Sequence, residues 1–239
     1  SKRYLQNLPI PLPPPEIQKK IVEECKKVDD EVEKAEKENK QLREEIREII
    51  NNVDGEMVKL GEVAMKISDS FNPRDKHRQD NIPYIGLENI ESNSGLLIGD
   101  ILTNYQGIKS TKTIFKKYDI LYGKLRPNLN KVYLSEMDGI CSTDIMVLRF
   151  KNKNLAKIYK YYFLSQKFNY EVLKSVSGVQ LPRTSWNKMK SLKIPLPPLQ
   201  TQKEIVSKIE KLETKIKQNQ TIIDSAKSKK EEILNKYLL

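Results

Sequence analysis

The sequence predicts an α+β protein in which one domain with a mostly antiparallel sheet accompanies two long helices that form an antiparallel coiled coil. Three observations lead to this fold class. A Pro-rich segment followed by a heptad helix occurs twice in the 239 residues. Short apolar runs bounded by turn residues fill the stretch between the copies, and a helical period follows them. We expect four parts: a remnant of a preceding domain with a Pro-rich start (1–15), the first helix (16–51), the α+β domain (52–191), and the second Pro-rich start and helix (192–239).

The two copies of the repeat are nearly the same sequence. Residues 8–24 read LPIPLPPPEIQKKIVEE and residues 192–208 read LKIPLPPLQTQKEIVSK, with ten of seventeen positions identical. Prolines exclude a helix and favour an extended segment. The helix then begins at Pro15 or Leu199, in the first turn, where a residue without an N–H loses no helical hydrogen bond. The repeat therefore predicts two helices that start in the same way.

Both copies continue as heptad helices. Apolar residues recur in alternating steps of four and three, and one Asn interrupts each seam. The first seam is Ile21, Cys25, Val28, Val32, Ala35, Asn39, Leu42, Ile46 and Ile49, and the second is Ile205, Ile209, Leu212, Ile216, Asn219, Ile223, Ala226, Lys230 and Ile233. A helix of about 30 residues is about 45 Å long, and it cannot bury its own stripe of apolar side chains. We expect the two helices to bury each other's seams; the alternative is that each packs separately on one globular core.

Residues 52–191 are expected to form the sheet and one or two helices. Strands are predicted at 58–63, 82–85, 96–98, 114–115, 119–121, 132–134 and 145–150. Turns are predicted at 93–95 and 137–139, the second as a hairpin connection. A helical period runs through 155–175.

The net charge of +11 is unevenly spread. Residues 16–51 hold 9 Lys and Arg against 12 Asp and Glu, whereas residues 52–191 hold 22 against 14. A basic region of this size suits a polyanion, and a Lys-rich surface kept for solubility is the equal alternative. The chain has no run of 18 apolar residues and no signal-peptide pattern at its start, so we expect a soluble cytoplasmic protein with no membrane partner.

No enzyme chemistry is predicted. His77 has no Ser or Cys partner in a nucleophile context, and no Gly-rich loop of phosphate-binding form follows a strand. Asp119 and Lys124 lack the second acid that a nuclease cluster needs, and an Asn-Pro-Pro-aromatic motif for base methylation is absent. Cys25 and Cys141 share no spacing with a histidine, so neither a metal site nor a disulfide framework is expected.

Three segments carry side chains suited to DNA. Lys and Arg neutralise phosphate or bind guanine, and Asn pairs with adenine. The segments are DILYGKLRPNLNKVYL at 119–134, FNPRDKHRQD at 71–80 and SVSGVQLPRTS at 175–185. Each alone is typical of a solvated loop, but three in one basic region favour DNA contact. The candidate DNA-binding residues are Arg74, Lys76, His77, Arg78, Lys124, Arg126, Asn128, Asn130, Lys131, Gln180 and Arg183.

Several of these segments are similar to motifs of one family. IPLPPPEIQKKIV at 10–22 and IPLPPLQTQKEIV at 194–206 look like two starts of its conserved helices, and KLRPNLNKVYL at 124–134, GICSTDIMVL at 139–148 and SGVQLPRTSW at 177–186 resemble the interior of its recognition domains. On these motifs the sequence resembles the specificity (S, HsdS) subunit of type I restriction–modification systems over essentially the whole chain. That subunit usually has two target-recognition domains, and this chain resembles its C-terminal half with one.

The resemblance implies a function. A sequence-specific DNA-binding subunit would read one half of a bipartite site, and its helices would dock the methyltransferase (modification) and restriction subunits. S-adenosylmethionine is then expected on the methyltransferase partner, with no cofactor in this chain and no catalysis of its own. Two copies could form a homodimer through the coiled coil to address a palindromic site. The alternative function is a coiled-coil scaffold whose domain binds protein and has no DNA role.

Overall fold

The structure is a computed structural model that describes residues 12–73, 81–104, 107–174, 176 and 182–238. The chain divides into two compact units. One runs as far as Glu45 and resumes at Ile209, and the other spans Ile46–Lys208. None of the described helices is long and apolar enough to cross a bilayer.

Two long helices follow the Pro-rich segments, as the repeat predicts. Helix α1 is Pro15–Asn51 and helix α6 is Leu199–Leu238. Each start uses the same side chain: Gln18 Nε2 donates to Pro13 O at 2.8 Å, and Gln202 Nε2 donates to Pro197 O at 2.8 Å. The Gln that both copies share therefore ties the first helical turn back to its own proline segment.

The two helices form an antiparallel coiled coil. Every predicted seam position is buried or half-buried, including Asn39 and Asn219 at 6% and 9% exposure. Glu24 pairs with Lys236 and Glu31 with Lys229. Partners that lie later in α1 therefore lie earlier in α6, so the two helices are antiparallel. The prediction that the seams bury each other is confirmed.

The unit Ile46–Lys208 is built from eleven short strands and four short helices in its described residues. The strands are β1 (Glu56–Lys59), β2 (Ala64–Ile67), β3 (Ser70–Phe71), β4 (Asn81–Ile85), β5 (Leu102–Asn104), β6 (Lys112–Phe115), β7 (Ile120–Gly123), β8 (Val132–Leu134), β9 (Gly139–Cys141), β10 (Ile145–Phe150) and β11 (Lys193–Leu196). The helices are α2 (Leu60–Val63), α3 (Lys153–Leu164), α4 (Gln166–Lys174) and α5 (Trp186–Met189), with 3-10 helices at Leu87–Asn89 and Pro127–Leu129.

The strands form one four-stranded and one five-stranded sheet, with a separate β1–β11 ladder. The orders are β2-β10-β7-β8 and β3-β6-β9-β4-β5. All described pairings are antiparallel except β4 with β9. The predicted α+β class with a mostly antiparallel sheet is confirmed.

Aromatic packing ties α3 and α4 to this unit. Phe150 of β10 stacks on Tyr159 of α3 at 4.9 Å between ring centroids, and Phe163 stacks on Phe168 of α4 at 4.4 Å. The buried Tyr159 hydroxyl donates to Pro195 O at 2.6 Å. This bond joins α3 to β11, so burial of the ring does not leave its hydroxyl unsatisfied.

The local predictions differ in three places. The segment 58–63 is only half strand, because β1 ends at Lys59 and helix α2 follows. Residues 96–98 form a single bridge between Leu97 and Ile90 instead of a strand. The turn at 137–139 is not a hairpin, since β8 and β9 belong to different sheets. Strands β2, β3, β5, β9 and β11 were not predicted, because each is short and its pairing is supplied by distant residues.

Candidate nucleic-acid interface

The first component of the candidate site is the segment that leaves β7. All four residues of β7 are buried, and the chain becomes accessible at Lys124, which is half-buried. The Lys124 N–H donates to Asp144 O at 2.9 Å. The strand end is thereby fixed to the start of the neighbouring β10, and the Lys124 side chain begins from a rigid frame.

The next residues form a tight 3-10 turn in an unusual backbone conformation. Arg126 has φ 52° and Asn130 has φ 46°, both in the left-handed region, and they flank the 3-10 helix Pro127–Leu129. Asn tolerates this region, whereas an Arg there costs free energy that neighbouring contacts must offset. Arg126 and Asn128 are both exposed at this turn.

A second segment, 182–184, is joined to the first by backbone hydrogen bonds. The Arg126 N–H donates to Pro182 O at 2.8 Å, and the Thr184 N–H donates to Lys124 O at 3.0 Å. Leu125 and Arg183 form an antiparallel bridge between these bonds. Two segments that lie far apart in sequence therefore form one surface, and the Pro182 contact holds Arg126 in its strained conformation.

Arg183 has a charged neighbour on this surface. Its Nη2 lies 3.6 Å from Asp144 Oδ1, and its side chain remains 58% exposed. An exposed pair at this distance contributes little to stability. The guanidinium thus stays accessible to an anion while Asp144 limits its orientations.

Asn130 and Lys131 lie differently from the other candidates. Asn130 is 2% exposed, and its Nδ2 donates to Leu164 O at 3.0 Å. Lys131 is half-buried, with Nζ 2.6 Å from Leu87 O. Their hydrogen bonds hold the segment to α3 and to the first 3-10 helix. Both residues were predicted to bind DNA, but in this structure the buried Asn130 and the carbonyl-bound Lys131 stabilise the turn, and DNA contact by either stays a prediction.

Five candidates lie outside the described residues. They are Arg74, Lys76, His77, Arg78 and Gln180. Of the eleven predicted residues, the structure therefore brings together Lys124, Arg126, Asn128 and Arg183 on one surface. Whether these residues contact DNA stays a prediction.

Sequence reasoning missed a cluster of polar and aromatic side chains beside this surface, formed around Ser142, Asp144 and Tyr84. The Ser142 hydroxyl accepts a bond from the Asp144 N–H at 3.3 Å. Tyr84 bonds to Ser142, and burial, with the Glu88 carboxylate, raises the pKa of its hydroxyl. Lys112 Nζ lies 5.6 Å from the Tyr84 ring centroid. The STD triplet at 142–144 is the signal that could have pointed here.

Two groups that could suggest catalysis are occupied in structural roles. Asp119 is 1% exposed and accepts two bonds of 2.7 Å from the Arg149 guanidinium. Burial raises the pKa of the Cys141 thiol to about 12, which keeps it protonated at neutral pH. No group of three or more metal-ligating side chains occurs in the part of the chain that the structure describes.

Comparison with known proteins gives one family. Residues 52–228 match the family model described as type I restriction modification DNA specificity domain. The chain is 29% identical over 133 residues to the specificity subunit of the type I restriction enzyme EcoDI from Escherichia coli, a stretch that covers 55% of this chain and 29% of that subunit. The chain thus spans well under half of this curated relative.

Two solved structures share the fold. The HsdS subunit from Thermoanaerobacter tengcongensis matches with a TM-score of 0.54 and 17% identity, over 96% of this chain and 60% of that chain. The S subunit of a type I restriction-modification system from M. genitalium matches with a TM-score of 0.61 and 16% identity, over 95% of this chain and 62% of that chain. At these identities the likeness establishes architecture.

Proposed function

Because this chain belongs to the type I restriction–modification DNA specificity family, we propose that it is a non-catalytic specificity subunit that reads one half of a bipartite DNA site. The observation that carries the proposal is the backbone bridge that joins the segments bearing Lys124, Arg126 and Arg183. A rigid backbone presents the exposed Arg126 and the largely exposed Arg183 side chain, so little ordering of the backbone is required on binding.

The same surface offers two kinds of contact. Lys124 and Arg126 carry charge suited to phosphate oxygens, which position a protein on the duplex. Asn128 and Arg183 carry donors suited to base edges, since Asn pairs with adenine and Arg with guanine in the major groove. This combination supports sequence-specific binding over simple charge attraction.

The coiled coil supports the second part of the proposal. A helix of the length of α6, 40 residues, is about 60 Å long, which exceeds one turn of DNA at about 34–36 Å. Such a rod would space two recognition domains along a bipartite site, and it would dock the methyltransferase and restriction subunits. The methyltransferase partner would bring S-adenosylmethionine, and the chain itself would need no cofactor. A homodimer of this chain would supply the second half-site reader.

Selection of bound duplexes from random DNA tests the proposal. The chain, alone and with its methyltransferase partner, is incubated with a random duplex pool, and the bound fraction is sequenced over several rounds. Enrichment of one short motif, doubled with a fixed spacer where the protein is dimeric, is expected. Binding without enrichment would show a sequence-independent function. Absence of salt-dependent binding would support the protein-binding scaffold instead.

A further inference from the structure

The two helices of the coiled coil are similar in sequence but opposite in charge. Helix α1 holds 9 Lys and Arg against 12 Asp and Glu, and helix α6 holds 9 Lys against 6 Asp and Glu. Similar apolar seams do not distinguish α1 from α6, so each helix could also pair with its equivalent in a second copy of the chain. Discrimination must come from the residues that flank or interrupt the seams.

The charge difference is concentrated at one heptad position. Position g of each heptad immediately precedes the first seam residue. In α1 this position is always Glu, at Glu24, Glu31, Glu38 and Glu45. On α6 the same position is Lys in four heptads of five, at Lys208, Lys215, Lys229 and Lys236, and Ile222 in the fifth. Position g borders the partner helix, where charge sets partner choice and orientation.

The structure brings these residues together across the coil. Lys236 Nζ lies 3.0 Å from Glu24 Oε1, and Lys229 Nζ lies 3.4 Å from Glu31 Oε2. Lys215 Nζ lies 3.7 Å from Glu38 Oε1. In these three contacts the acid belongs to α1 and the base to α6. A pair of two α1 helices would place Glu beside acid, and a pair of two α6 helices would place Lys beside Lys.

The Asn residues of the seams add a second constraint. Asn39 occupies the first seam position of its heptad, position a, and Asn219 occupies the second, position d. Asn219 Nδ2 donates to Glu38 Oε2 at 3.2 Å, so the register places Asn219 at the level of Asn39. In an antiparallel pair position a faces position d. Asn39 Oδ1 has no hydrogen-bond partner among the described residues, so the constraint lies with Asn219. Two antiparallel α6 helices would place Lys or Ile where Glu38 stands, and the Asn219 amide would lose this acceptor.

From these two observations we propose that α1 and α6 carry a pairing code that admits the antiparallel α1–α6 pair and rejects α1–α1 and α6–α6 pairs. The partner that an α1 helix accepts is an α6 helix, from the same chain or from a second copy. The code would let a chain with duplicated helices assemble in one register. This proposal does not depend on DNA binding.

A crosslinking experiment on the full chain tests the code. The register places Ile233 opposite the native Cys25, so Ile233→Cys creates a thiol pair, while Cys141 is buried in the other unit. A short thiol crosslinker followed by peptide mass spectrometry measures three products: 25–233, 25–25 and 233–233. With the native charges at position g, almost all of the crosslinked product should be 25–233.

Charge reversal then separates the code from general stability. In this background E24K/E31K/E38K on α1, or K215E/K229E/K236E on α6, should lower the 25–233 yield about tenfold at low salt, and the two sets together should restore it. The matched control E23K/D30K/E33K changes the same charge at exposed positions away from the seam and should leave the yield unchanged.

Three results would overturn the proposal. They are an unchanged 25–233 yield after a one-sided reversal, no recovery in the combined variant, or an equal loss in the matched control. Misfolding is distinguished from repulsion by salt. At 1 M salt the Debye length is about 3 Å, so screened one-sided variants should regain the 25–233 product and the helical circular dichroism signal, whereas unfolded chains would regain neither.

Discussion

Removing the cations of the two joined segments should weaken DNA binding at low salt and make the binding less dependent on salt concentration. The variant K124A/R126A/R183A deletes three side chains that the backbone of two joined segments holds on one surface. Each phosphate contact contributes about 0.9 to the slope of log K against log salt, because binding releases condensed counterions.

The structure sets the size of the expected change. Phosphate contacts from Lys124 and Arg126 would lower the slope by about 1.8. Arg183, which is assigned to a base edge and lies 3.6 Å from the Asp144 carboxylate, would add at most about 0.9. A decrease of about 1.8 to 2.7 is therefore expected. Between 50 and 200 mM salt, a fourfold change, the affinity ratio of wild type to variant should shrink by about 12- to 40-fold.

Fluorescence anisotropy with a labelled duplex, titrated at five salt concentrations, measures this slope. The control K66A/K151A/K153A removes three exposed lysines, one in β2, one directly after the far end of β10 and one at the start of α3, so its slope should match the wild type. Parallel lines for wild type and K124A/R126A/R183A would refute the assignment. An equal slope change in the control would show that only the total charge matters.

Three further variants test the structural roles of buried or paired groups. Asp119→Ala leaves the Arg149 guanidinium without its partner, so unfolding followed by Trp186 fluorescence should show a loss of about 3 kcal/mol, and a loss under 1 kcal/mol would contradict that role. Asn130→Ala should destabilise the same unit by about 1–3 kcal/mol yet keep the DNA affinity of the folded protein; weaker binding with unchanged stability would contradict a structural role for Asn130. Bonds from Tyr237 and Lys236 lower the pKa of Glu24, so its contribution to coil stability is complete above its unfolded pKa and lost as pH falls through the folded one; the melting temperature of Glu24→Gln should vary less with acid pH.

The long-range repeat could be predicted because its signals are local. Proline excludes a helix through its own ring, and a heptad seam is visible in the spacing of Val28, Leu42 and their neighbours. Strands β8 and β10 were also predicted correctly, since β8 is a continuous apolar run and β10 is interrupted only by Arg149. In contrast, β9 is three residues long and becomes a strand only because β4 and β6 lie on either side of it.

The candidate interface was predictable only in part, for a related reason. The sequence indicates that Lys124, Arg126 and Arg183 are suited to phosphate or guanine, because that chemistry belongs to each side chain alone. It does not show that Asn130 turns inward, since its left-handed backbone and its bond to Leu164 depend on the packing of α3. It also gives no reason to connect Asp144 with Arg183.

Local patterns were sufficient to predict two paired heptad helices, a basic α+β domain between them and the residue types that suit DNA. Periodicity, proline and charge act over a few residues, so these properties can be found without a fold. The fold was needed to show which candidates lie together, because the bonds from Arg126 to Pro182 and from Thr184 to Lys124 join segments that no local pattern relates. The antiparallel direction of the coil, which was an expectation from the sequence, is confirmed by the contacts of Glu24 with Lys236 and Glu31 with Lys229.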